Sequence, residues 1–135
     1  MNESDQVQLF LRLMLAVGLG GLVGLEREFR GHEAGIRTSA LVCVGAAAFG
    51  EVSVLFGDSR VAAGVVQGIG FLGAGLIFQR DDTISGVTTA ATIWVLAGIG
   101  LMVSEELYLA SVLLAVAIVL LLELSPLSDR VYRAG

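Results

Sequence analysis

Charged residues of both signs lie where the first apolar stretch of the sequence ends and the second begins. Glu26 and Arg27 close the first stretch, and Arg37 and Thr38 open the second. A charge at the bilayer centre costs about 2.5–3.5 kcal/mol on insertion scales and less near the interface. Opposite charges at facing helix ends, such as Glu26 and Arg37, can pair and offset that cost. The cluster is therefore either a membrane anchor or a site that meets an ion or a partner protein.

Uncharged polar residues within the apolar stretches form a second group of candidates. Thr88 and Thr92 are four positions apart and share one helical face, with Thr89 beside them. Gln67 lies in the middle of another apolar stretch. These side chains either make hydrogen bonds between helices and to helix carbonyls, or they line a hydrated path through the membrane.

Glu51 is the most unusual acidic residue, because it lies inside an apolar stretch. An ionisable residue inside a membrane segment is by default a candidate functional site. Arg12 or Arg60 is its expected partner, unless the carboxylate reaches outward to the membrane surface.

The sequence gives no support for an enzyme. It holds a single histidine and a single cysteine, and no serine, histidine and acid arrangement suited to nucleophilic catalysis. His32 lacks companions for metal ligation, and no cofactor is expected. The glycines of 68–73 match the dinucleotide-binding pattern, but no strand precedes them, so helix packing is the better interpretation.

The composition is that of a polytopic membrane protein. Hydrophobic residues make up 56% of the 135 residues and charged residues only 16%, against about 25% charged residues in soluble chains. A net charge of −5 argues against a nucleic-acid partner. The expected surroundings are a lipid bilayer, with the chain crossing it several times.

Five apolar segments predict an all-α bundle of five transmembrane helices in one domain, 1–135. Each is about as long as a helix that spans a bilayer, and the short links make sequential helices antiparallel neighbours. The segments cover about 7–25, 36–56, 61–78, 84–103 and 107–124.

Arginine placement predicts the orientation of the bundle, since cytoplasmic loops are enriched in basic residues. An outside N-terminus and a cytoplasmic C-terminus leave only Arg12 and Arg60 outside. The basic residues inside are then Arg27, Arg30, Arg37, Arg80, Arg130 and Arg133.

Glycine spacing predicts which helices pack closely. Glycines four positions apart let helix backbones approach each other in a membrane. We expect the glycine-rich third segment to be the central helix, next to the glycine face of the first. The predicted packing glycines are Gly20, Gly24, Gly64, Gly68, Gly70, Gly73 and Gly75.

Four motifs occur in order along the chain. They are Gly24-Leu25-Glu26-Arg27-Glu28, Ala34-Gly35-Ile36-Arg37-Thr38, Gly68-Ile69-Gly70-Phe71-Leu72-Gly73-Ala74-Gly75 and Gly86-Val87-Thr88-Thr89-Ala90-Ala91-Thr92. Together they cover about Leu19 to Gly100, and in combination they are specific. With these motifs the chain resembles the membrane domain of the MgtC/SapB family.

The resemblance implies a bacterial inner-membrane protein of five helices with its C-terminus inside. It also implies a link to growth at low magnesium, to survival of pathogens in macrophages, or to restraint of the F-type ATP synthase. Longer relatives carry a cytoplasmic ACT-like domain after the fifth helix, so this chain resembles the short form or a fragment.

The leading functional hypothesis is a protein of magnesium or ion homeostasis that acts through helix contacts on transport or proton-motive machinery. The alternatives are an oligomeric transporter of magnesium or protons, and a structural subunit of another membrane complex. Expected partners are a second copy of the chain, another membrane protein and the magnesium ion, whose ligands the sequence does not identify. The leading hypothesis requires Glu26, Arg37 and the surface of 68–75.

Overall fold

Three helix ends carry caps that the sequence supplies. At the first helix, the Asn2 side chain accepts from the Asp5 amide at 2.9 Å, and the Asp5 carboxylate accepts from the Asn2 amide at 3.0 Å. The second helix ends at Gly57, whose φ of 63° suits glycine. Asp58 then caps the third helix by accepting from the Arg60 amide at 3.0 Å.

The computed structural model describes residues 1–80 and 83–124, which form five α-helices and one short hairpin. The predicted all-α fold of five helices is confirmed. The elements are α1 (Glu3–Phe29), α2 (Ile36–Phe56), α3 (Ser59–Gly75), β1 (Phe78–Arg80), β2 (Thr83–Ser85), α4 (Val87–Ser104) and α5 (Tyr108–Glu123).

Three of these helices, α1, α2 and α4, are long and apolar enough to cross a membrane. α3 has 17 residues and α5 has 16, near the lower limit of about 17 residues for a spanning helix. Large apolar side chains point outward from the bundle: Phe71 is 84% exposed and Leu109 is 74% exposed. Water would disfavour such a surface, whereas lipid suits it, so the fold is that of a membrane protein.

The central helix of the bundle is α4. It contacts every other helix, and its Ile93, Leu96 and Ile99 are almost fully buried. α3 packs against α2 and α4 and makes no substantial contact with α1. The expectation of a central third helix is therefore wrong, because α2 lies against the glycine face of α1 instead.

The boundaries of three helices differ from the predicted segments. α1 continues to Phe29, so the charged residues that follow position 25 are helical. α3 stops at Gly75 and α4 starts at Val87, because an antiparallel hairpin occupies the residues between them. Gly86 closes this connection with a φ of 85°, and a Cβ there would clash with the carbonyl oxygen of Leu76.

The predicted packing glycines have very different surroundings. A Cβ on Gly20 would lie 2.6 Å from the Ser39 carbonyl oxygen, and one on Gly24 would lie 2.7 Å from that of Gly35. α1 and α2 therefore touch backbone to backbone. In α3, only Gly73 has a neighbour from another helix, Ala90 at 3.6 Å; Gly64, Gly68, Gly70 and Gly75 have no described atom within 4 Å.

Candidate functional site

Ionised side chains gather at opposite ends of the bundle, because consecutive helices run antiparallel. We call one group the Arg12 end (Arg12, Glu51, Glu106 and Tyr108) and the other the Arg27 end (Glu26, Arg27, Arg30, Thr89 and Glu123). The two arginines are fifteen positions apart on α1, which is about 22 Å at 1.5 Å per residue. The mostly apolar interior of the bundle lies between the two ends.

Arg27 is almost fully buried, with 4% of its surface exposed. Its Nη2 donates to the Thr89 hydroxyl of α4 at 2.6 Å. Its Nε is buried and has no acceptor among the described residues. A guanidinium has five N–H donors, so this side chain holds unused donors in a buried position.

Glu26 is also buried, with 8% of its surface exposed. Its nearest cation is Arg30, one helical turn further along, with Nε 3.8 Å from Oε1. Arg30 also donates to Glu123 on α5, whereas Glu26 Oε2 has no partner among the described residues. Arg30 therefore holds the two carboxylates of this end together.

The expected pair between Glu26 and Arg37 does not form. Arg37 is exposed and makes no ion pair with any described side chain. The prediction took the residues after position 25 for a loop, whereas α1 continues to Phe29 and supplies Arg30 as a neighbour of Glu26. The spacing of Glu26 and Arg30, four residues apart, was the signal in the sequence for this pair.

A cavity of about 660 Å³ lies between α2 and α3, and Thr38 is the one polar side chain among the described residues that line it. We call it the α2–α3 groove. Small residues without bulky side chains, Gly45, Gly64 and Gly68, form part of its wall. The remaining lining residues are mostly apolar and include Leu41 and Phe49.

A second cavity, of about 580 Å³, opens at the Arg27 end between α1, α4 and α5. We call it the Arg27 cavity. Its polar lining comes from Arg27, His32, Ser85 and the threonines of α4, Thr88, Thr89 and Thr92. Its apolar lining comes from Val95, Ile118, Leu121 and Leu122.

The three threonines of the predicted polar face line the Arg27 cavity, and two of them also make hydrogen bonds. The Thr92 hydroxyl donates to the Thr88 carbonyl oxygen at 2.7 Å. Thr89 accepts from Arg27, and Thr88 is exposed. Back-bonding to the helix therefore accounts for one of the three threonines, whereas Thr89 holds a charged partner.

At the Arg12 end, Glu51 is 6% exposed and pairs with Arg12 Nη1 at 3.2 Å. Arg12 also donates to Glu106 at 2.6 Å and to the Tyr108 hydroxyl at 2.8 Å. Of the partners considered for Glu51, the structure selects Arg12. Four residues from α1, α2, α5 and the α4–α5 link are thereby joined.

Arg60 pairs locally with Asp58, at 2.8 Å, in the link before α3. The side-chain hydrogen bonds of Arg60, followed by its backbone amide, lower the pKa of the Asp58 carboxyl. Both groups are close in sequence, and this explains why Arg60 is not available to Glu51.

Gln67 points away from the other candidates. It is exposed on α3, and it lines neither the Arg27 cavity nor the α2–α3 groove. Glu51 lies at the opposite end of the bundle from Thr88. Within the described part of one chain, these residues do not line a common path. Residues 1–80 and 83–124 also contain no group of three or more His, Cys, Asp or Glu side chains suited to a metal ion.

Known proteins resemble this chain along most of its length. The model of the MgtC family matches residues 13–130. A protein of Escherichia coli strain K12 named "Putative magnesium transporter YhiD" is 41% identical over 86% of this chain and 60% of its own length. A protein of Haemophilus influenzae is 37% identical over 93% of this chain and 59% of its own length.

The Brucella abortus protein named "Protein MgtC" is 54% identical over 62% of this chain. The match covers 37% of the Brucella protein, and the chain spans from 37% to 60% of the length of these three relatives. No solved structure matches the chain. The family match covers α2, α3, α4 and α5 and most of α1, and with them the Arg27 end and the Arg12 end except for Arg12 itself. The chain belongs to the MgtC family.

Proposed function

We propose that this chain is a multi-pass protein of the bacterial inner membrane that serves magnesium or ion homeostasis through helix contacts. Membership of the MgtC family and the name of its Escherichia coli relative support the link to magnesium. Its activity is exerted by contacts on transport or proton-motive machinery in the same membrane.

The α2–α3 groove is the observation that supports a function exerted by contact with another helix. Gly64 and Gly68 are exposed, four residues apart, and have no described atom within 4 Å of a Cβ position. The same spacing in α1, at Gly20 and Gly24, brings α2 into backbone contact. Small residues with this spacing are typical of helix–helix interfaces in membranes, and here the facing helix lies outside the chain.

A second copy of this chain is the occupant that we propose for the groove. A two-fold axis would place α3 of one copy against α3 of the other, so that the Gly64 and Gly68 surfaces meet each other. Such an interface is self-complementary, and two-fold dimers are the commonest oligomers. The paired copies are then the unit that contacts the target machinery.

The test is to fill the groove by Gly68→Leu and to compare it with Gly70→Leu. Positions 68 and 70 are about 200° apart around a helix, and Gly70 does not line the groove. We expect Gly68→Leu to abolish both the oligomer in mild detergent and growth of a dependent strain at low magnesium. Gly70→Leu should preserve both, at equal protein levels.

Two outcomes would contradict this proposal. If Gly68→Leu leaves growth intact, the groove is not the functional surface. If growth is lost while the oligomer persists, the groove receives a helix of a different protein, and the second copy is the wrong occupant.

An oligomeric transporter of magnesium or protons is the second candidate. The buried Glu26 Oε2, which has no described partner, is the observation that favours it, since ion pathways use intramembrane carboxylates. The path would lie between copies, because Gln67, Glu51 and Thr88 do not meet within one chain. Purified protein in liposomes separates the candidates: magnesium or proton flux supports the transporter, and its absence together with co-purification of another complex supports a structural subunit.

A further inference from the structure

Arg27 is a buried residue of the Arg27 cavity that holds unused donors. The side chain lines this cavity, only 4% of its surface is exposed, and its Nε lacks an acceptor among the described residues. A buried donor without an acceptor is destabilising by the desolvation of that group. An oxygen-rich group in the cavity would accept from the guanidinium, which the hydrogen bond to Thr89 already fixes beside the start of α4.

The start of α4 is a second, independent feature of the same cavity. Its N-cap is Gly86, which has no side chain to cap the helix. A capping serine or aspartate would not fit, because of the φ of 85° and the contact with Leu76. The amides of Val87, Thr88 and Thr89 therefore have no acceptor in the described part of the chain. An uncapped helix start attracts anions through these amides and the helix dipole.

No carboxylate of the described residues lines the Arg27 cavity. Glu26 and Glu123 both contact Arg30, and neither is among the lining residues. His32 is the other titratable residue of the described lining. Arg27 therefore shares the described part of the cavity with hydroxyl and amide groups rather than with acidic side chains.

We propose that the Arg27 cavity binds a phosphate group. Arginine recognises phosphate through its planar fork of N–H donors, and the amides and hydroxyls of α4 supply donors on another side. A tetrahedral group with several acceptor oxygens suits donors that converge from α1 and α4. The site lies on the opposite side of α4 from the α2–α3 groove, so it stands or falls independently of the proposed function.

Two sources of phosphate fit this chemistry, a lipid headgroup and inorganic phosphate. The apolar wall formed by Ile118, Leu121 and Leu122 of α5 fits an acyl chain that runs beside the headgroup. The cavity volume of about 580 Å³ is also within the usual range for small-molecule sites. Free phosphate would use the polar half of the cavity alone.

The experiment titrates the purified full chain, in maltoside micelles, with inorganic phosphate and separately with short-chain phosphatidylglycerol. Calorimetry gives the affinities for the wild type, for Arg27→Gln and for Thr88→Val. Arg37→Gln is the matched control, because it removes an exposed arginine close in sequence that does not line the cavity. We expect Arg27→Gln to weaken binding at least about tenfold and Thr88→Val about threefold. Arg37→Gln should stay within about twofold of the wild type.

Binding of phosphatidylglycerol but not of inorganic phosphate identifies the source as lipid, and competition by inorganic phosphate identifies a site open to both. The proposal is overturned if neither probe binds, or if Arg37→Gln weakens binding as much as Arg27→Gln. If Arg27→Gln does not fold, the exposed Thr88→Val decides, and an unchanged affinity there rejects the site.

Discussion

Arg12 and Arg27 of α1 differ in how fully their donors are used. Arg12 reaches Glu51, Glu106 and Tyr108, with donor–acceptor distances from 2.6 to 3.3 Å. Among the described residues, the Arg27 side chain makes one hydrogen bond, to Thr89. An arginine whose donors are all used in hydrogen bonds between helices holds those helices together, whereas an arginine with unused donors retains them for a ligand. We therefore assign stability to the Arg12 end and binding to the Arg27 end.

Arg12→Leu should destabilise the bundle by about 3 kcal/mol, because Glu51 is left as a buried carboxylate without its cation. The loss is measured by unfolding in mixed micelles with a rising fraction of denaturing detergent. The double variant Arg12→Leu, Glu51→Leu removes both charges and should recover part of the lost free energy of unfolding. Arg60→Leu is the control, since the Arg60 side chain is 89% exposed, and should have little effect. Equal losses for Arg12→Leu and Arg60→Leu would refute the assigned role.

The charged residues that lie in apolar segments can be recognised in the sequence more readily than their ion-pair partners. Glu51 is conspicuous as a charge in an apolar stretch, but Arg12 is 39 positions away, and only packing brings the two together. Arg60 could have been excluded, because Asp58 lies two positions before it. Glu123 could not have been paired with Arg30, since their contact depends on how α5 docks.

At the scale of elements, the same glycine spacing has two different outcomes. Gly20 and Gly24 lie under α2, whereas Gly64 and Gly68 face open space. The two pairs of glycines cannot be told apart in the sequence, because their spacing predicts a helix surface without bulky side chains but does not predict which helix packs against it. The hairpin between α3 and α4 was missed for a related reason. Its strands have only three residues each and adjoin apolar helices. Such short strands do not show the alternation of apolar and polar residues that would distinguish them from the helices.

Gly24→Ala should destabilise the bundle by about 1–3 kcal/mol, because its Cβ would lie 2.7 Å from the Gly35 carbonyl oxygen and from Ile36 Cα. Gly18→Ala is the matched control on the same helix. A Cβ on Gly18 would have no described neighbour within 4 Å, so alanine should be neutral or slightly stabilising through its higher helix propensity. Unfolding in mixed micelles measures both. A stable Gly24→Ala would show that α1 and α2 can separate without loss.

At the scale of the whole molecule, the five antiparallel helices place the links between them alternately at the two ends. The α1–α2 link and the α3–α4 hairpin lie at the Arg27 end, and the α2–α3 and α4–α5 links lie at the Arg12 end. Arg27, Arg30 and Arg37 stand at or beside the first link, whereas the α4–α5 link carries the acidic Glu105 and Glu106. Basic residues favour the cytoplasmic side, so the Arg27 cavity is expected to open toward the cytoplasm.

Cysteine labelling in intact cells tests this orientation with one variant at each end, Glu33→Cys and Glu105→Cys. Both positions are exposed in links, and the native Cys43 is fully buried, so the wild type should remain unlabelled. A maleimide that cannot cross the inner membrane should label Glu105→Cys in intact cells and Glu33→Cys only after lysis. The reverse pattern would place the Arg27 cavity outside, where arginines are disfavoured. Labelling of both variants before lysis would mean that the chain inserts in two orientations.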